Sequence, residues 1–190
     1  MKTLYITAAM VLLTACVYAQ ESIQLGIKAG LNASTIHSSP DLSYKPKTGF
    51  HAGALAHIHL NKTWALQPEL MYSGQGASSS GSTIRLNYFT VPVQIQYMFD
   101  NGFRLQTGPQ AGILLSAHGI NGNTKTDITP SFKPLDLGWT FGASYLGASG
   151  FGLDARYNAG FTNINDAGPA DLYNRTFQVG IFYLFKHKYK

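Results

Sequence analysis

From Ser22 onward, apolar and polar residues alternate with a period of two, the period of a strand whose side chains point to opposite faces. The apolar positions form eight rows: Ile23 to Leu31, Phe50 to Leu60, Trp64 to Tyr72, Phe89 to Phe99, Phe103 to Leu115, Leu137 to Tyr145, Phe151 to Phe161 and Phe177 to Phe185. Between them sit polar residues and glycines, among them Gln24, Gly26, Lys28, His51, His57, His59, Gln67, Glu69, Gln94, Gln96, Arg104, Gln106, Asp154, Arg156 and Asn158. Large apolar groups share one face with no charge among them, and the charges keep to the other. A soluble ligand-binding barrel reverses this order, with oily groups inside and charges in water. The pattern predicts an all-β fold, an eight-stranded antiparallel up-and-down transmembrane β-barrel whose apolar face meets lipid.

The connections agree. Segments 61–63, 100–102 and 147–150 read as tight turns, whereas 33–47, 74–83, 118–134 and 164–173 are long and rich in Ser, Gly, Asn, Thr and Pro. Long and short alternate, which places four loops outside, three turns inside, and both termini in the periplasm. Aromatic residues sort to the row ends. Trp64, Phe99, Phe103, Tyr145, Phe151 and Phe185 lie near the turns, and Phe50, Tyr72, Phe89, Trp139, Phe161 and Phe177 toward the loops, as two interfacial girdles require. Because an unpaired backbone group costs several kcal/mol in hydrocarbon, the last strand is expected to pair with the first. Pro68, Pro92 and Pro109 fall within rows and read as bulges or rim positions.

Composition narrows the setting. Only 12% of the residues are charged, about half the share usual in soluble domains, while 13% are aromatic. The net charge of +5 is spread along the chain and makes no basic face for nucleic acid. Residues 1–19 read as a signal peptide, with Lys2, an apolar stretch from Leu4 to Ala15, and Val17-Tyr18-Ala19 before cleavage at Gln20. The barrel domain is then 20–190, ending in a basic tail, 186–190. The single cysteine, Cys16, lies in the leader, so no disulfide is expected in the mature chain. Leu13-Thr14-Ala15-Cys16 also reads as a lipobox, which would make Cys16 a lipidated first residue.

Several stretches resemble the PorT-like outer-membrane β-barrel family of Bacteroidetes: Leu25-Gly26-Ile27-Lys28-Ala29-Gly30-Leu31-Asn32, Leu66-Gln67-Pro68-Glu69-Leu70-Met71-Tyr72, Leu86-Asn87-Tyr88-Phe89-Thr90-Val91-Pro92-Val93, Leu105-Gln106-Thr107-Gly108-Pro109 and Gly152-Leu153-Asp154-Ala155-Arg156-Tyr157-Asn158. The resemblance runs in order along the mature chain and implies the barrel fold and a cell outer membrane location. It implies no defined activity. The segment 178–185 resembles the β-signal read by the barrel-assembly machinery, with Gln178, Gly180, Tyr183 and Phe185 at its key positions; the tail after Phe185 departs from that pattern.

The candidate chemistry lies inside. Lys28, Glu69, Arg104, Asp154 and Arg156 face the lumen and predict an ion-pair network, Glu69 with Arg156 or Lys28 and Asp154 with Arg104. Parity in the last tight hairpin sets Asp154 opposite Gly142 and Arg156 opposite Thr140. Such pairs brace a narrow barrel; a gated ion path is the functional alternative. His51, His57 and His59 share a face and could ligate a metal, but no further ligand completes a set, so hydrogen-bonded lumen histidines are the better reading and no metal or cofactor is expected. A lipid A-modifying enzyme would need a Ser nucleophile and His base on the lipid face near the outer interface, where the rows offer only Thr107, with Ser116 and His118 turned to lumen or rim. No catalytic residue is therefore assigned. The expected product is a monomeric barrel with a side-chain-filled lumen, acting as a membrane anchor or through its outer loops, with membrane lipid and the assembly machinery as its partners. A narrow channel for ions or small solutes is the alternative.

Overall fold

A computed structural model describes residues 23–39, 45–79 and 81–185. The leader with Cys16 and Gln20, and the tail 186–190, lie outside the described residues. Strands β1 (Ile23–Ser39), β2 (Lys45–His59), β3 (Trp64–Ser79), β4 (Ser82–Met98), β5 (Phe103–Asn121), β7 (Leu135–Leu146), β8 (Phe151–Gly160) and β9 (Asp171–Leu184) pair in that order, each antiparallel to its neighbours. A short strand β6 (Thr124–Asp127) folds back on β5 within the third long connection. Pairing of β1 with β9, from Gly26↔Leu184 to Ser39↔Asp171, closes the ring. It is an eight-stranded up-and-down barrel with no open edge, the condition for placing strands in lipid.

Its faces follow the sequence pattern. Phe141 is 56% exposed and Val179 44%, with Leu66 and Val93 half-buried, while Glu69 and Arg156 are each only 2% exposed. The ring rows also form: Trp64, Tyr97, Phe99 and Phe103 make successive edge or tilted contacts at the turn end, continued by Phe151, Tyr183 and Phe185. Trp139 belongs to the loop-end row, and its indole Nε1 donates to Thr107 Oγ1 at 2.8 Å. The one outward hydroxyl foreseen on the rows is thereby engaged.

Four local expectations change. The segment 74–83 is not a loop: β3 and β4 stay paired up to Ser79↔Ser82, and a Ser78–Thr83 hydroxyl contact at 3.2 Å links the two strands near the tip. Strands β1 to β5 run 15 to 19 residues, whereas about 9–11 suffice to cross a membrane, so this side of the barrel stands well above the other at the loop end. Above the bilayer the outer face has no reason to be apolar, and the alternation that reveals a strand disappears. A second change is a bulge at Leu115. Tyr88 pairs with Leu114 but Asn87 with Ser116, and the extra residue reverses parity, so that Ser116 and His118 share the outer face with Asn87 and Arg85.

In the last tight hairpin, Asp154 faces Ser144 and Arg156 faces Gly142, one pair away from the parity reading. The turn closes on Gly147, whose N–H donates to Phe151 O, and Gly150 takes φ +87°, where glycine is unstrained. Lastly, Pro68, Pro92 and Pro109 are neither bulged nor at the rim. One register holds across Pro68 from Leu55↔Glu69 to Ile58↔Leu66, across Pro92 from Pro68↔Val93 to Met71↔Thr90, and across Pro109 from Pro92↔Gln110 to Ile95↔Thr107. The ladder lapses locally at each missing donor and resumes unchanged.

Candidate functional site: the barrel lumen

At mid-height the lumen is filled by a charge-balanced cluster. Arg156 on β8 reaches the strand diametrically opposite in the ring, β3, and grips Glu69 with both terminal nitrogens: Nη1 to Oε2 at 2.9 Å and Nη2 to Oε1 at 2.5 Å. Its Nε donates to Asp154 Oδ2 at 3.1 Å. Asp154 also takes Lys28 Nζ from β1 and Gln106 Nε2 from β5. Gln67 Nε2 adds a bond to Glu69 Oε1 at 2.7 Å. Two cations and two carboxylates, each with a side chain at most 2% exposed, thus neutralise one another. The fork-to-fork geometry is the strong form of such a pair, and it lies across the bore.

Arg104 does not join. The expected bond to Asp154 is taken by Lys28, Arg156 and Gln106, and among the described residues Arg104 makes no ion pair, its Nη1 being without a partner. It lies lower, opposite Ser144, and desolvated. The histidines also separate. His51 Nδ1 bonds to Asn32 Oδ1 at 2.7 Å, and Asn32 in turn reaches Ser73 Oγ at 3.1 Å and receives Gln178 Nε2 at 2.9 Å. His57 and His59 contact each other edge to face, 4.6 Å between ring centres. No group of three His, Cys, Asp or Glu side chains suited to a metal occurs among the described residues.

Of the four positions expected to carry an assembly signal, Gln178 faces inward to Asn32 and Gly180 lies against the His51 ring, where an added Cβ would approach Nε2 to 3.0 Å. Tyr183 and Phe185 point outward into the turn-end girdle, 5.5 Å apart.

Sequence reasoning missed what seals the lumen. At the loop end Ile36, Ala77, Leu86, Tyr88, Leu114, Ala117, Phe132, Ile164 and Leu172 form a dry inward-facing cluster. Phe132 and Ile164 come from the connections rather than from strands; Phe132 bridges Asn165, and Lys133 N–H donates to Ile164 O. Just inside, Asn174 on β9 crosses to Tyr88 OH on β4 at 3.2 Å and also holds Asp136 at 2.7 Å. At the turn end Leu55, Leu146, Phe182 and Leu184 form a second apolar cluster. Glycines there make room for side chains, not water: a Cβ on Gly152 would meet the Phe182 ring at 2.2 Å, and one on Gly142 would meet Arg156 Cγ at 2.9 Å. The only available signal was an apolar residue at an inward position, as at Leu55 and Leu86, and isolated interruptions of that kind do not announce a plug.

The family model described as outer membrane protein beta-barrel domain matches residues 18–166. This chain belongs to that family. Its backbone is similar to that of Ail, the attachment invasion locus protein of Yersinia pestis, with TM-score 0.55 and 18% identity over 86% of this chain and 99% of that one. It is also similar to Neisserial surface protein A, with TM-score 0.58 and 14% identity over 84% of this chain and 96% of that one. At such identities the likeness shows the fold alone. No match was found among curated protein sequences. Family and fold together place the protein in an outer membrane, with its apolar outer face against lipid.

Proposed function

We propose that this protein is a non-conducting, non-enzymatic, monomeric barrel that anchors a strand-built outer rim for recognition, with both termini periplasmic and a leader removed before Gln20. The finer PorT-like membership belongs to the same reading and rests on the motifs quoted above. One observation carries the non-conducting reading: the Arg156–Glu69 bridge spans the bore, between apolar clusters at both ends. A bore crossed by that bridge and narrowed by apolar side chains at both ends opposes the passage of water and ions, and breaking the bridge leaves a buried charge. The tall wall of β1 to β5 then supplies the surface available to an outside partner.

The test is single-channel recording in a planar bilayer. Silence is expected; a steady current from the unmodified protein that changes in Glu69→Gln or Arg156→Gln would establish the channel instead. Ser116 and His118 do reach the outer face, where an enzyme would need its nucleophile and base, and Ser116 Oγ there accepts from Asn87 Nδ2 at 2.9 Å. On the non-enzymatic reading lipid A mass spectra identical with and without the protein are expected, and a modification lost in Ser116→Ala would establish the enzyme instead. Orientation is read by cysteine labelling, since mature protein starting at Gln20 has no cysteine of its own. Asn123→Cys should react with an impermeant maleimide on intact cells and Lys62→Cys should not. The N-terminal mass separates cleavage before Gln20 from lipidation at Cys16.

A further inference from the structure

The Leu115 bulge that turns His118 outward also completes a groove on the lipid-facing side of the wall, of about 560 Å³, lined by Lys47, Arg85, His118 and Lys125 beside Tyr72 and Asn87. We propose that this groove holds the phosphate-bearing headgroup of an outer-leaflet glycolipid. Its basic side chains are far apart in sequence and come from β2, β4, β5 and β6, so their convergence is a product of the fold. Among the described residues no Asp or Glu lines it. Lys47 and Arg85 are close enough to repel, and the Lys47 ammonium donates to the backbone of its own neighbour, Thr48 O, at 3.2 Å. Asp127, opposite His118 in the β5–β6 pair, accepts the N–H of Thr129 at 2.9 Å and its hydroxyl at 2.6 Å and also lies close enough to Lys125 to offset part of its charge, which leaves Lys47 and Arg85 as the pair that repel.

Height decides the kind of anion. The floor of the groove is Phe50 and Tyr72, ring centres 5.2 Å apart, both members of the loop-end aromatic row that marks the membrane interface. On β4, Phe89 lies in that row and Asn87 and Arg85 follow it upward on the same face. The cations therefore stand at headgroup level, directly over an apolar shelf. Sugar hydroxyls find partners in a polar chain between them, Tyr72 OH to Asn87 Oδ1 and Asn87 Nδ2 to Ser116 Oγ, each 2.9 Å. Like charges clustered beside lipid are costly without a counter-anion, and a phosphorylated amphiphile supplies the anion and the apolar part together. The groove also has the volume of a small-molecule site, larger than a lone phosphate ion needs.

The assignment rests on the long connections facing outward, but its test does not, because nanodiscs offer both leaflets the same lipids. The full mature chain is reconstituted in phosphatidylcholine discs doped with bisphosphorylated lipid A or with its dephosphorylated form, and lipid retained after extraction is counted by native mass spectrometry. Selective retention of the phosphorylated form is expected, with a loss of about tenfold or more in the Lys47→Gln/Arg85→Gln/Lys125→Gln variant. None of these three residues touches the lumen network, so folding is checked by unchanged heat-modified gel mobility. Equal retention of the dephosphorylated form, or full retention by the triple variant, overturns the proposal. Binding of inorganic phosphate with no preference for the phosphorylated glycolipid would make the groove a free-anion site and overturns the headgroup assignment. Failure in any of these arms leaves the conductance and labelling results untouched.

Discussion

Arg156→Gln removes three charge-assisted hydrogen bonds, two to Glu69 and one to Asp154. The two carboxylates are left unequal. Asp154 keeps Lys28 and Gln106 as hydrogen-bond partners, but Glu69 keeps only the bond from the amide of Gln67 and the more distant attraction of Lys28. A buried carboxylate stripped of its cation costs about 3–5 kcal/mol, a large part of the ~5–15 kcal/mol that holds a typical domain together. Glu69→Gln alone is expected to cost less, because Arg156 still has Asp154. The double variant Glu69→Gln/Arg156→Gln restores neutrality, leaving Lys28 with Asp154. Its cost should therefore fall short of the sum of the single costs by about 2 kcal/mol or more. Urea unfolding of the barrel in lipid vesicles, followed by the fluorescence of Trp64 and Trp139, gives the three free energies under one slope. Additivity within about 0.5 kcal/mol would show that the two groups do not act on each other across the bore and would refute the reasoning.

Three further outcomes test separate parts of the interior. Gly152→Ala drives a methyl into the Phe182 ring and should destabilise the barrel by about 1–3 kcal/mol; Phe182→Leu in the same chain should recover part of this, and an unchanged unfolding midpoint in Gly152→Ala would mean the turn-end plug is loose. Arg104→Met should leave stability unchanged or raise it by about 1–4 kcal/mol, since this desolvated guanidinium makes no ion pair among the described residues; a loss on the scale of Arg156→Gln in the same unfolding assay would reveal a partner. Tyr88→Phe should cost about 1 kcal/mol by deleting the bond from Asn174, whereas Tyr88→Ala, which empties a wholly buried site, should cost about 3–5 kcal/mol; equal costs would show that the ring's packing does not matter.

Which side chains meet lipid and which meet the lumen was settled by the sequence itself. Side-chain parity in a strand is a local property, so Leu31, Phe141 and Val179 announce the outer face and Lys28, Glu69 and Arg156 the inner one wherever the rows sit in space. Hydrocarbon then demands closure, and with it the pairing of first and last strands. Parity cannot decide partners across the bore, and so Asp154 went to Lys28 and Arg156 while Arg104 was left lower down: reach across a ring depends on strand stagger, which no single strand encodes. Nor could it decide where parity itself reverses. The bulge at Leu115 changes one ladder step and sends Ser116 and His118 to the other face, and the strands above the membrane lose the apolar row that would have revealed them. The seals at the two mouths and the cationic groove on the wall come from residues of different strands and connections, brought together only when the ring closes. Local alternation could specify a surface; the contacts that fill and decorate it depend on distances that only the folded cylinder defines.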